Sequence, residues 1–178
     1  ASDVAVLYRT NSQSRALEEG MRRRGLPYVI VGGTRFYERQ EVKDAIAYLR
    51  ILANPADDWS MNRVLGVPKR GIGAVTIKAL EEVAHQRGTG LAGALVDPAL
   101  LLLVNAPTEA GLRELSRLME EFRARAESEP AGGWVAEYLE KAGLFAHYRA
   151  LKDPRREDRI ENLYELVAGV QTFSDERG

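Results

Sequence analysis

The chain has 178 residues, 45% of them apolar, with no cysteine and a formal net charge of −1. That is enough for one domain or one and a half, and it excludes disulfides, thiolate zinc sites and a cysteine nucleophile. The longest unbroken apolar run, Ala99 to Val104, is far too short to span a bilayer. No secretory leader opens the sequence, and the lack of cysteine fits a reducing cytoplasm, which is the expected location.

The charge divides unevenly. Residues 1–90 hold 14 Lys/Arg against 10 Asp/Glu, and residues 91–178 hold 11 against 16. The first half is the better candidate for an anionic partner, although ordinary variation in surface charge explains the split equally well.

In chain order, Val4 to Tyr8 is short, apolar and partly β-branched, which predicts a buried strand. Asn11 to Ser14 supplies helix-start residues, and Ala16, Leu17 and Met21 recur at helical spacing. Gly25 stops that helix, with Pro27 close behind, and Tyr28 to Val31 predicts a second strand. Strand, helix and strand make a βαβ unit, but two strands do not make a stable sheet. The expectation is a truncated α/β piece to about residue 33.

After Gly32-Gly33 the pattern turns helical. Val42, Ala45, Ile46, Leu49 and Leu52 form one stripe, ended by Asn54-Pro55. Asp57-Asp58, read as a cap, precedes a short helix with Met61, Val64 and Leu65. Ile77, Leu80 and Val83 mark another. A longer helix carries Leu112, Leu115, Leu118, Met119 and Phe122, with Thr108 as its candidate cap. Val135, Tyr138, Leu139 and Ala142 precede Gly143, and Ile160, Leu163, Val167 and Val170 make the last helix. The expected fold class is mainly α, with a short βαβ piece at the N-terminus.

Three stretches are candidates for chemistry. The most specific is Lys69-Arg70-Gly71-Ile72-Gly73, between two apolar-periodic helices. Paired glycines let a backbone approach phosphate, and the amides opening the next helix favour an anion. Ile72 anchors the hairpin, Thr76 adds a hydroxyl, and Lys69, Arg70 and Lys78 add charge. Such a site reads backbone, not bases. A plain tight turn is the bland alternative.

The second stretch is Tyr8 to Arg15, outside the end of the first predicted strand, where ligands of parallel sheets gather. Helix capping with solvated arginines explains it as well. The third is Phe36 to Asp44, where Arg39 and Lys43 lie four apart and make either a phosphate clamp or an exposed, self-balancing charged face.

Arg22-Arg23-Arg24 suits a helix C-terminus, and His85 and His147 are isolated. Trp59, Trp134 and the tyrosines read mostly as core. No catalytic constellation, no metal-ligand spacing and no Gly-x-x-x-x-Gly-Lys-Ser/Thr phosphate loop appears.

The stretches "VAVLYRTNSQSRALEE", "LPYVIVGGTRFYERQEVKDAIAYLRILANPADD", "RVLGVPKRGIGAVTIKALEE" and "RIENLYELV" closely resemble the UvrD/PcrA/Rep group of superfamily 1 DNA helicases. The resemblance is near-continuous over residues 3–87, sparser to 150, and returns over 159–173. It implies part of a four-domain motor that moves 3′ to 5′ along single-stranded DNA and splits duplex DNA in repair or replication.

Residues 1–33 would open the RecA-like domain 2A, and residues 34–178 would form most of the helical domain 2B. By the same resemblance, Arg9 and Asn11 would lie along single-stranded DNA. Lys43, Lys69, Arg70, Gly71, Ile72, Gly73 and Thr76 would meet duplex DNA, and Gly32 and Gly33 would be the hinge. ATP and Mg2+ would serve the full-length helicase, not this stretch, which would be inactive alone. The alternative is a protein-interaction module for repair-protein partners or self-association, using the acidic second half with Trp134, Tyr138 and Tyr148.

Overall fold

A computed structural model describes residues 4–9, 13–30 and 35–177. Ten α-helices follow one another among them. They are α1 (Ser14–Arg23), α2 (Gln40–Ala53), α3 (Asp58–Gly66), α4 (Ala74–Arg87) and α5 (Leu91–Ala94). Then come α6 (Pro98–Leu101), α7 (Ala106–Ser128), α8 (Val135–Lys141), α9 (Leu144–Arg149) and α10 (Arg156–Arg177). No helix among the described residues is long and apolar enough to cross a membrane.

The mainly helical expectation holds, and the βαβ expectation does not. Residues 4–8 and 26–30 carry no strand pairing. Val4, Val6, Leu7 and Val29 are exposed, not buried. A strand exists through hydrogen bonds to a neighbour, and neither segment has a partner strand among the described residues. Val31, the end of the second predicted strand, lies outside them, as do Gly32 and Gly33.

Helix ends follow their local chemistry. Gly25, at φ +65°, closes α1 while the Leu26 amide donates to the Met21 carbonyl. Asp57 caps α3 by accepting from the Ser60 amide at 3.0 Å. Gly143, at φ +77°, separates α8 from α9. Asn105, not Thr108, caps α7, accepting from the Thr108 amide at 3.0 Å. Thr108 is buried, and its hydroxyl is used elsewhere.

The core is aromatic at its centre. Tyr48 of α2, Phe122 of α7 and Trp134 and Tyr138 beside or on α8 pack with ring centroids 5.0–6.4 Å apart. Burial pushes the Tyr48 hydroxyl up to about 12, although the adjacent Arg70 works against that shift. Trp59 departs from the core expectation, being 64% exposed at the start of α3.

A second centre is polar. Glu41, 4% exposed, accepts from Asn162 Nδ2 at 2.6 Å and Arg159 Nη1 at 3.0 Å. Asn162 Oδ1 accepts from Arg39 at 2.7 Å, and Arg39 also donates to the Ser14 hydroxyl at 2.7 Å. Ser14 donates to Glu18 at 2.9 Å, and Glu18 also receives the Phe36 amide. Asp44 accepts from Arg63 and from the Tyr148 hydroxyl. Thus α1, α2 and α10 meet through a chain of buried charges. Arg15 completes it with two 2.8 Å bonds to Glu165. Its guanidinium lies where a side chain on Gly169 would stand.

Two outcomes are expected. Glu41→Ala, which strands Arg159 and Asn162, lowers unfolding free energy by about 3 kcal/mol in urea titrations. A loss under about 0.5 kcal/mol would mean that the network is not formed in solution. Gly169→Val evicts Arg15, so amide-exchange protection of residues 14–23 falls while that of α2, α7 and α8 is kept.

Candidate nucleic-acid interface

The turn between α3 and α4 is held from three sides. From α2, the Tyr48 hydroxyl donates to the Val67 carbonyl at 2.7 Å. From α7, the Thr108 hydroxyl donates to the Gly71 carbonyl at 3.2 Å. Gly111, one turn later, lies so close that a Cβ there would sit 3.3 Å from the Arg70 carbonyl oxygen and Cβ. From the α8–α9 turn, a Cβ on Gly143 would be 3.4 Å from Pro68 Cγ. A glycine inside a helix costs about 1 kcal/mol against alanine, so Gly111 was the one available sign that something packs closely there.

Arg70 is the strut of the turn. Its Nη1 donates to the carbonyls of Val64 at 3.0 Å and Pro68 at 3.2 Å. Its Nη2 donates to the Tyr48 hydroxyl at 2.6 Å and the Ala142 carbonyl at 2.8 Å. The guanidinium also lies 5.8 Å from the Tyr48 ring centroid. Both terminal nitrogens therefore point inward, away from any outside anion.

What faces outward is different. Gly71, at φ +73°, occupies a region that side chains disfavour, and a Cβ there would also press on Thr108 Oγ1 at 3.3 Å. Ile72 is half-buried against the core, as an anchor should be. Gly73 is the N-cap of α4 in extended backbone, with open space around its Cα. No side chain caps α4, and no acid stands in its first turn. The leading amides of α4 are thus left to outside partners. Thr76 is half-buried there, while Lys69 and Lys78 are exposed. Neither lysine forms an ion pair among the described residues.

The remaining expected residues are more scattered. Lys43 is exposed on the outer face of α2, and Arg50 lies on the same side. Arg39 and Glu41 are buried in the polar network, so neither the Arg39–Lys43 clamp nor the exposed balanced face forms. Arg9 is exposed, and its amide donates to Gln13 Oε1 at 3.0 Å. Asn11 lies outside the described residues.

The arginines closing α1 behave as last-turn cations. Arg22 stacks on Tyr37 at 5.3 Å, and Arg23 pairs with Glu19 at 2.7 Å. No cluster of acids and histidines fit to hold a metal exists among the described residues.

The architecture is a helical domain that presents a glycine-flanked, basic turn between two helices. Family comparison agrees with that class. The whole chain, residues 1–178, matches the UvrD-like helicase C-terminal domain, and the chain belongs to that family.

It is 40% identical over 178 residues to the ATP-dependent DNA helicase UvrD1 of Mycobacterium tuberculosis, covering 99% of this chain and 23% of that protein. It is 36% identical over 172 residues to the ATP-dependent DNA helicase PcrA of Bacillus subtilis, covering 97% of this chain and 23% of that protein. With DNA helicase II of Escherichia coli the identity is 38% over 176 residues, covering 97% and 24%. The chain therefore spans about a quarter of the length of these relatives.

The geometry separates two neighbouring cations. Arg70→Ala orphans four inward acceptors and lowers stability by about 2–3 kcal/mol in denaturant titrations. Lys69→Ala, on the solvent side, changes it by no more than about 0.5 kcal/mol. Equal, small effects would remove the strut role of Arg70.

Proposed function

We propose that this chain is the duplex-holding and regulatory part of an ATP-dependent DNA helicase that moves 3′ to 5′ and unwinds DNA in repair or replication. Residues 1–33 belong to its RecA-like domain 2A, and residues 34–178 make most of its domain 2B. The relatives' names, all DNA helicases, support the DNA partner.

The observation that carries the reading is the uncapped start of α4 behind Gly71 and Gly73, flanked by Lys69 and Lys78 and free of acids. A phosphate set there receives backbone amides, the helix dipole and a lysine without base contacts. Arg70 serves this site by shaping the turn instead of touching DNA. Lys43 is an outlying phosphate contact, and Arg9 with Asn11 follows single-stranded DNA.

ATP and Mg2+ belong to the full-length enzyme. The residues present do not fit either group, since the sequence has no phosphate loop and no acidic cluster stands among the described residues.

A second reading, a surface for repair proteins or for self-association, is favoured by Leu102 and Leu103, exposed 86% and 69% ahead of α7. Trp134, Tyr138 and Tyr148 take no part in such a surface, because all three are buried.

The test is duplex binding across a salt series. Lys69→Ala reduces the slope of log affinity against log salt by about one. Gly73→Val leaves the fold intact, because space is open there, but bars phosphate and lowers affinity at least about tenfold. A Gly73→Val protein that binds duplex like the wild type would remove the turn from DNA binding.

A further inference from the structure

The α8–α9 turn lies against the turn of the proposed phosphate site. Arg70 reaches across to the Ala142 carbonyl, and Pro68 rests on Gly143. Gly143, at φ +77°, starts α9, and its carbonyl accepts from the His147 amide at 2.9 Å. His147, four residues after Gly143, lies on the same face of α9, and helical side chains lean toward the N-terminus, here toward the turn on which Pro68 rests. The ring is half-buried and stands edge-on to Tyr148, with centroids 5.0 Å apart.

We infer that the phosphate-binding surface continues across the α8–α9 turn, where protonated His147 adds a second cation beside Lys69, so that duplex binding tightens as pH falls below neutral. This rests on the reading of the Gly-Ile-Gly turn as a phosphate contact, and it deepens that reading.

The charged groups around His147 leave it short of a counterion. Lys69 acts on it from the α3–α4 turn and Asp44 from α2. Asp44 is already taken, accepting from Arg63 of α3 and from the hydroxyl of Tyr148. Arg159 of α10, stacked on Tyr148, is itself paired with Glu41 and Asp153. On the neighbouring α8, Glu140 is bound to Arg149. Lys69 forms no ion pair among the described residues. Two basic groups thus stand on adjoining turns, and Asp44 is already engaged by Arg63 and Tyr148.

Burial holds the imidazole below its ordinary value; Asp44 opposes that shift and Lys69 reinforces it. Burial therefore favours the uncharged ring in the free protein. A phosphate beside Lys69 reverses the local field and favours the imidazolium. The bound state then holds more protons than the free state, and affinity rises as pH falls. His85, the other histidine, is exposed on α4, with the neighbouring Glu81 and Glu82 on the same helix.

The experiment measures binding of this chain to a labelled, blunt DNA duplex by fluorescence anisotropy, at about pH 8 and about pH 5.5, which bracket the ordinary histidine range. The wild-type chain should bind about fivefold tighter at the lower pH, with a salt slope steeper by about one. His147→Gln should lose that gain while binding normally at the higher pH, and His85→Gln should keep it. His147→Lys should bind tightly at both.

Retention of the full gain by His147→Gln overturns the inference. Wild-type binding that ignores pH overturns the inference and leaves the duplex-contact reading standing. Absence of duplex binding at both pH values overturns both.

Discussion

Glu41 cannot be left alone where it sits. It is buried between Arg159 and Asn162, and the arrangement also binds Arg39, which reaches on to Ser14. Removing water from these charges costs several kcal/mol each, and only complete pairing offsets that cost. The first turn of α2 and the first half of α10 must therefore meet in one arrangement. Once they do, the outward face of α2 is fixed as well, and Lys43 is left in solvent.

From this anchored α2 the order passes to the proposed site through Tyr48. Its ring belongs to the aromatic core, while its hydroxyl donates to Val67 and accepts from Arg70. The turn that carries Gly71 and Gly73 is thus built onto the core, not suspended from two helix ends. Thr108 and Gly111 brace it from α7. A phosphate site on such a turn needs little reordering when it binds, which favours affinity.

Much of this was legible in the sequence, and the failures share a cause. Helix positions, the caps at Asp57 and Gly25 and the glycine-flanked turn follow from chemistry within a few residues. The inward bonds of Arg70 were not legible, because one partner, the Ala142 carbonyl, is 72 residues away. Arg39 and Glu41 read as part of a phosphate clamp or of an exposed charged face for the same reason, their partner Asn162 lying over 120 residues on. The run Val4–Tyr8 reads as a strand whether or not a neighbouring strand is there to receive it, and periodicity carries no information on that point. His147 gave no local signal at all, since only the touching of two turns sets α9 beside the turn that carries Lys69.

The contact of α1 with the rest of the molecule has one more consequence. Its buried residues are Ser14 and Glu18, not its leucine or methionine, and Arg15 spans to Glu165 across Gly169. Greasy surfaces tolerate sliding, because hydrophobic attraction has no preferred direction. Hydrogen-bonded charges do not, since each donor fits one acceptor at one angle. Helix α1 is therefore held in register by directional bonds more than by oil, so its seat is set by which donor meets which acceptor.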